Sequence, residues 1–419
     1  MTFTDTINSL RVWGIKGAIN FARRWPVLRR LKNSDKHVWR SPQRGITLIG
    51  PFSAHNGNSH TMRNLAQMLR NANIPFQTFD TNYPPSLPPG DYKHLITPFK
   101  EFDLGHYSHV IELFTQHSPV SPNRVHALLA FWEYESGFDF AFPSAATSGL
   151  PIVAMSDFNA KHFRTILPKD TPVFKIRHPL FLNPSEATSP DVLRARYCIS
   201  PTTFIVFFNF DYGSSYYRKN PEAVVKAFAK AFTPSDNAVL LLKTSNAKRH
   251  RETEMRLRSV ISTSSLGQDR IIIIDDALSQ SDMSGLFHAC DVYISLHRGE
   301  GFGIGMAEAM ACGKPVIATN YSANTEFCTD ETSIPVPYKM TSPSKAEIDN
   351  PAYSHVTSWA EPDIDFAASA LAKCYKDRNF AKQIGSTGAA FIKKSFSLEN
   401  FKQDINAFLD ESPIAAAMQ

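Results

Sequence analysis

A chain of 419 residues with 43% hydrophobic and 20% charged side chains is long enough for two ordinary domains, each with its own core, and its composition excludes wholesale disorder. The formal net charge of +5 is mild, and no long Lys/Arg tract occurs outside the N-terminus and residues 248–258, which argues against nucleic acid while allowing an anionic substrate or membrane surface. Five scattered cysteines without a C-x-x-C pair read as reduced, cytosolic thiols, no apolar run reaches the roughly 18 residues of a bilayer span, and the N-terminus lacks the apolar core of a secretory signal.

In chain order, residues 5–32 predict a basic helix in which Trp13, Trp25 and several aliphatic residues alternate with Arg11, Lys16, Arg23, Arg24, Arg29, Arg30 and Lys32. Such a helix suits a lipid interface, or a helix packed across a domain with its charges in water. Residues 45–50 predict a buried strand, followed by a loop over 51–58 and a helix over 59–71 with Ser59 as N-cap and Met62, Leu65, Met68 and Leu69 as its apolar stripe. That loop does not fit G-x-G-x-x-G, which rules out a dinucleotide fingerprint there. Residues 82–100 are Pro-rich and irregular, and 109–113 and 125–131 predict strands. The second of these runs into Trp132-Glu133-Tyr134-Glu135, at a strand's carboxyl end, where open α/β sheets place ligands. The cluster reads equally as a solvated loop anchored by a core tryptophan. A strand over 151–155, a helix over 157–166 and a strand over 172–176 follow, and residues 180–200 have linker composition with one helix at 191–197.

Residues 204–210 begin a second set of strands. A loop over 211–217 leads to Arg218-Lys219-Asn220-Pro221 and a helix over 222–232, whose start tolerates proline because the missing N–H has no partner there anyway. A lysine at the mouth of such a helix can reach a diphosphate as a point charge. Residues 239–243 predict a strand ending on Lys243, which reads either as a ligand contact or as an end-of-strand charge, and residues 248–258 read as a solvated helix face. A strand over 271–274 leads to Asp275-Asp276-Ala277-Leu278, then a helix over 281–290.

The stretch from Asp291 to Asn320 is the most informative. Val292 to Leu296 reads as a strand, Gly299, Gly301, Gly303 and Gly305 form a loop without bulky side chains, and residues 304–311 are good helix formers stopped by Gly313-Lys314-Pro315. N–H groups at that helix start favour an anion. Glu300 and Glu308 bracket the element, and carboxylates beside an anion site suit the task of accepting hydrogen bonds from sugar hydroxyls. Beyond it, residues 341–358 read as a polar loop. The string Trp359 to Asp365 contains D-x-D, read as capping of a helix over 366–375, and helices over 380–394 and 398–409 complete the chain.

The sequence Glu-Gly-Phe-Gly-x-x-x-x-Glu-Ala at 300–309 resembles the Glu-x7-Glu signature of retaining GT-B glycosyltransferases, in particular glycosyltransferase family four, and the likeness extends over most of residues 199–400. The resemblance implies an α/β chain of two Rossmann-like, doubly wound parallel-sheet domains facing a cleft. A basic segment at 1–40 precedes an acceptor-binding domain at 41–185; residues 186–395 bind the nucleotide sugar, and a helix in 396–419 returns to the first domain. It implies that Glu300 approaches the donor sugar's hydroxyls, that Glu308 holds the ribose, and that the backbone of Gly301, Phe302, Gly303 and Ile304 meets sugar and diphosphate. Lys219, with Arg218, stabilises the leaving group; Lys243, Ala277 and Leu278 complete the donor side, the last two through backbone around the base. Asn56, Gly57 and Asn58 lie over the diphosphate, with Trp132, Glu133 and Glu135 on the acceptor side. The family's upstream arginine is replaced here by Phe208-Asn209-Phe210-Asp211, and the 132–135 cluster lacks the histidine that many relatives carry.

The expected partners are a nucleotide sugar and a glycan or lipid-linked acceptor of cell-surface polysaccharide synthesis, with general similarity leaning towards GDP-mannose and UDP-sugars open. No cofactor and no metal are expected, because no H-x3-H or H-E-x-x-H spacing occurs and the acids are not clustered. A cytoplasmic placement follows, peripheral on the inner membrane if residues 5–32 bind an anionic surface. A catalytically silent nucleotide- or glycan-binding subunit and a nucleotide-sugar epimerase or hydrolase are the alternatives.

Overall fold

The computed structural model describes residues 29, 42–54, 56–82, 89–114, 123–180, 187–267 and 269–411. Apart from Arg29, the basic segment at residues 1–40 lies outside the described residues, as does the tail 412–419. The chain forms two compact units, one comprising residues 1–181, 351–355 and 396–419, the other residues 182–350 and 356–395.

The first unit is built on a six-stranded sheet of order β2-β1-β3-β4-β5-β6, every neighbouring pair parallel. Its strands are Gln43–Gly50, Phe76–Asp80, Tyr107–Leu113, Val125–Ala130, Ile152–Ala154 and Val173–Lys175. A parallel sheet is covered on both faces, so its strands read as continuous apolar runs, and Val125–Ala130 is buried at every position. The helix Gly57–Asn71 buries the expected stripe of Met62, Leu65, Met68 and Leu69. Its start corrects the reading of Ser59 as N-cap: Asn56 holds that place, its Oδ1 accepting from the Ser59 N–H at 3.0 Å and from the Ser59 hydroxyl at 3.1 Å. Asn56 stands three residues before that N–H, the spacing a capping side chain spans, whereas Ser59 is itself fully buried.

The helix Leu398–Leu409 completes this core. Phe401, Ile405, Phe408 and Leu409 are buried among Ile46, Val125 and Ile176. The Phe408 ring meets His109 edge-on at 4.9 Å between centroids and Phe174 at 5.3 Å. Arg177, two residues past β6, donates to Asp404 from its backbone at 2.9 Å and from its guanidinium at 2.8 Å.

The second unit carries a six-stranded parallel sheet of order β12-β11-β10-β7-β8-β9. The strands are Phe204–Asp211 (β7), Ala238–Ser245 (β8), Ile271–Ile274 (β9), Val292–Ser295 (β10), Val316–Thr319 (β11) and Ile334–Val336 (β12). Residues 342–358 form the expected loop, with short 3-10 turns at Lys345–Glu347 and Pro351–Tyr353, and an antiparallel pair that sequence reasoning passed over frames it, Tyr338–Thr341 (β13) against Trp359–Pro362 (β14). The four residues of β13 are all exposed, so no burial alternation marks it in sequence, and its pairing is non-local. Asp363 then caps the helix Ile364–Lys376, accepting from the Phe366 N–H at 3.0 Å, as the capping reading of the D-x-D string requires. Among the described residues no helix is long and apolar enough to cross a membrane.

Two substitutions test the closure of the first core. Phe408→Ala removes a fully buried ring and is expected to cost about 3–5 kcal/mol of unfolding free energy, read by denaturant titration of the first unit's transition. Asp404→Asn keeps the volume but weakens a partly exposed ion pair, and about 1 kcal/mol is expected.

Candidate active site in the second unit

In the second sheet the direction of strand addition reverses beside β7: β8 and β9 extend it to one side, while β10, β11 and β12 lie on the other. Parallel strands bring all their carboxyl ends to one edge, and a sheet of this kind takes its ligands where the order reverses. Here that place lies between the exits of β7 and β10. The first exit carries Arg218 and Lys219, the second the glycine loop with Glu300.

Those exits are joined by charge. The Lys219 ammonium donates to Glu300 Oε1, and the Arg218 guanidinium lies 3.5 Å from Glu300 Oε2. Glu300 is buried, with 7% of its surface exposed. Burial by itself raises the pKa of a carboxyl; here Lys219 and then Arg218 outweigh it and hold Glu300 at about 2, so it is an anion throughout the physiological range.

Arg218 has a second task. It is 4% exposed, and its guanidinium donates to the carbonyls of Gly299 at 2.9 Å and Ser214 at 2.8 Å, while its own carbonyl accepts from the Arg298 N–H at 2.8 Å. Through these two carbonyl contacts Arg218 also fixes the glycine loop from beneath.

The loop is held from the β11 side as well. The Glu300 N–H donates to Ser322 Oγ at 2.8 Å, and the Ser322 hydroxyl donates to the Tyr321 carbonyl at 2.6 Å. Ser322 sits at φ 72°, a left-handed conformation that costs a non-glycine residue on the order of 1–3 kcal/mol and persists only where the surroundings enforce it. Fully buried His297 bridges the same segments. Its Nε2 faces Asn324 Oδ1 at 3.0 Å and the Tyr321 carbonyl at 3.3 Å, two acceptors that place the proton there, and Nδ1 then accepts from Ser295 Oγ at 3.0 Å. Burial pushes the His297 pKa down against the pull of Glu300, so the ring is a neutral spacer.

The helix Ile304–Ala311 follows, with Gly303 as N-cap at φ 95°, a conformation that favours glycine. Its first N–H groups, those of Ile304 and Gly305, have no carbonyl one turn back within the helix. Phe302 turns inward, 4% exposed and 5.1 Å from the Phe327 ring, leaving only its backbone for the ligand side. Glu308 is buried in the first turns of this helix. Beneath the helix start, the Tyr293 hydroxyl donates to Asn209 Oδ1 at 2.8 Å, and a Cβ on Gly305 would fall 2.4 Å from that hydroxyl.

The remaining expected residues distribute as follows. Lys243 is buried, its ammonium donates to the carbonyl of Thr244, and burial lowers its pKa against the pull of Asp275 and Asp211. This corrects its assignment as a donor contact and makes it the end-of-strand charge of the other reading. Ala277 is exposed and Leu278 buried in the segment after β9, on the same edge of the sheet as Lys219 and Glu300. Asn56 and Gly57 belong to the first unit, where Asn56 is occupied as a helix cap. Trp132, also in that unit, is 1% exposed, donates from Nε1 to the Ser136 carbonyl at 2.8 Å, and packs 5.5 Å from the Tyr353 ring. It is a core anchor, which corrects its reading as an acceptor contact. Glu133 accepts from the Tyr353 hydroxyl at 3.3 Å, and Glu135 is exposed. Sequence reasoning passed over Asn209, Tyr293, His297 and Ser322 as site residues; Tyr293 and His297 sit in an apolar strand and its exit, and only a partner from another strand distinguishes them from core.

Comparison with known proteins agrees with this geometry. Residues 210–345, which contain Lys219, Glu300 and Glu308, match the family model for glycosyl transferases group 1. No curated protein matches the chain. Among solved structures, sucrose-phosphate synthase of Thermosynechococcus elongatus superposes with a TM-score of 0.60 at 16% identity, covering 87% of this chain and 98% of that one. Anabaena HepE, in complex with UDP and glucose, gives 0.59 at 15% identity over 88% and 99%. A glycosyltransferase of Rickettsia africae gives 0.57 at 16% identity over 88% and 98%. The chain thus has the GT-B fold, and its residues 210–345 are similar to the glycosyl transferases group 1 family.

Proposed function

We propose that this protein is a retaining, metal-independent glycosyltransferase that moves a sugar from a nucleoside diphosphate sugar to an acceptor hydroxyl. The observation that carries the reading is the buried Lys219–Glu300 pair at the mouth of the helix Ile304–Ala311. Breaking a sugar-nucleotide bond sends the electron pair to the departing diphosphate and leaves positive charge at the anomeric carbon. Lys219 and the N–H groups of the helix start favour the first charge, and the Glu300 carboxylate favours the second while accepting from sugar hydroxyls. Retention follows if the acceptor hydroxyl attacks from the face that the diphosphate leaves, its proton passing to a leaving phosphate oxygen. Glu308 is assigned the ribose hydroxyls.

HepE has been captured with UDP-glucose, which supports a nucleoside diphosphate sugar as donor. UDP-glucose and GDP-mannose are the donors to assay first, against acceptors of the cell-surface glycan or lipid-linked type.

Three outcomes are expected. Lys219→Ala and Glu300→Gln each lower kcat by roughly 10²–10³, equivalent to about 3–4 kcal/mol of transition-state stabilisation, while circular dichroism stays native; transfer within twofold of the unmodified enzyme in either variant rejects the site. Glu308→Gln raises the donor KM more than it lowers kcat, because a ribose contact is made equally in ground and transition states. The third concerns pH. The folded pKa of Glu300 is depressed, so its contribution to stability is fully present above its unfolded value near 4.5 and is lost as pH falls towards about 2. The stability difference between native and Glu300→Gln chains should be flat above pH 5 and shrink between pH 4.5 and 2, as measured by urea denaturation across that range.

A further inference from the structure

We infer that Asn209 is a donor-diphosphate ligand, with its amide aimed at the mouth of the helix Ile304–Ala311 by the hydroxyl of Tyr293. The inference rests on the transferase reading above and names a residue of that same site.

Asn209 is the sixth residue of β7, Phe204–Asp211. Strand alternation puts its side chain on the face of Phe207 and Asp211, opposite the stacked pair Phe208 and Phe210, whose rings lie 5.5 Å apart. It is one of two positions in that strand that are only half-buried. The other, Asp211, is spent on the turn, accepting from the Gly213 N–H and from Asn246 Nδ2, each at 2.8 Å. Asn209 Oδ1 accepts from the Tyr293 hydroxyl at 2.8 Å. The phenol is buried, and burial together with Glu300 and Glu308 raises its pKa well above the usual range, so it remains protonated as the donor.

With Oδ1 thus occupied, the amide orientation is set and its Nδ2 is the end left over. Among the described residues Nδ2 has no hydrogen-bond partner, and it is not a fully enclosed orphan. Its location is fixed by Gly305: a Cβ there would lie 2.7 Å from Asn209 Oδ1, so the amide abuts the second residue of the helix, beside the unpaired N–H groups. A neutral amide donor adjoining a helix mouth, on the strand from which Lys219 also descends, suits an anionic oxygen. It supplies direction where an arginine supplies direction and charge, and the ammonium of Lys219 provides the charge.

The test uses the full chain and titration calorimetry with UDP and with GDP. For whichever diphosphate the native chain binds, Asn209→Asp should weaken affinity at least tenfold, Asn209→Ala threefold to tenfold, and Tyr293→Phe by a smaller factor, with melting temperatures close to native. The ordering is the diagnostic, because a carboxylate at this place repels the diphosphate whereas a merely structural loss weakens the Asp and Ala variants alike. Affinity within twofold of native in both Asn209 variants, or equal weakening in the two, overturns the inference and leaves the transferase reading intact. If Asn209→Asp fails to fold, Asn209→Leu takes its place: it should weaken binding as Asn209→Ala does, and native affinity in it overturns the inference. A native chain that binds neither diphosphate and transfers no sugar overturns the transferase reading and this inference together.

Discussion

A carboxylate withdrawn from water is the interaction on which the second unit's ligand edge is built. Glu300 could not remain ionised when buried without compensation, since desolvation of an isolated carboxylate pushes its pKa up by several units. Two consecutive cations from the β7 exit supply the compensation across 81 residues of sequence. The pairing joins the two strands that flank the point where the sheet order reverses. Removing Glu300 leaves buried Arg218 and half-buried Lys219 without their counter-charge, so the carboxylate locks the two exits together.

The two cations divide the work. Arg218, whose planar fork holds its donors in fixed directions, binds the carbonyls of Gly299 and Ser214 while its guanidinium lies 3.5 Å from Glu300. Lys219 meets Glu300 at the loop's outer side. From the β11 exit, Ser322 and Asn324 reach the same loop, directly and through the neutral imidazole of His297. Three strand exits therefore converge on a segment rich in glycine, which would otherwise be the least ordered part of the edge. These contacts hold the loop and the helix start beside it in fixed orientation.

The first unit shows the same economy in apolar form. Its carboxyl-edge cluster of Trp132, Tyr134 and Phe138 is packed by Tyr353, from a chain segment distant in sequence. On another part of its core the chain's final described helix supplies Phe401, Ile405 and Phe408. Both additions arrive long after the sheet they cover, so the fold of this unit depends on residues from the far end of the chain.

Fold class was legible in the sequence because parallel strands buried on both faces leave apolar runs, β8 being the plainest, and because glycines and a Gly-Lys-Pro stop punctuate the segment after β10. The spacing of Glu300 and Glu308 and the Arg-Lys-Asn-Pro turn are likewise local facts, and the fold brings both to the same edge of the second sheet. Sequence alone could not assign work within that edge. Arg218 and Lys219 are neighbours of like charge; Lys243 and Trp132 each suited two roles, and their burial is decided by segments that only the fold packs against them. Asn209, Tyr293 and Ser322 acquire meaning only when β7, β10 and β11 are side by side, and the exposed strand β13 carries no pattern until β14 pairs with it. Periodicity and turn chemistry are written in residues a few positions apart, whereas desolvation, charge compensation and hydrogen-bond direction arise between residues that only the folded chain brings together.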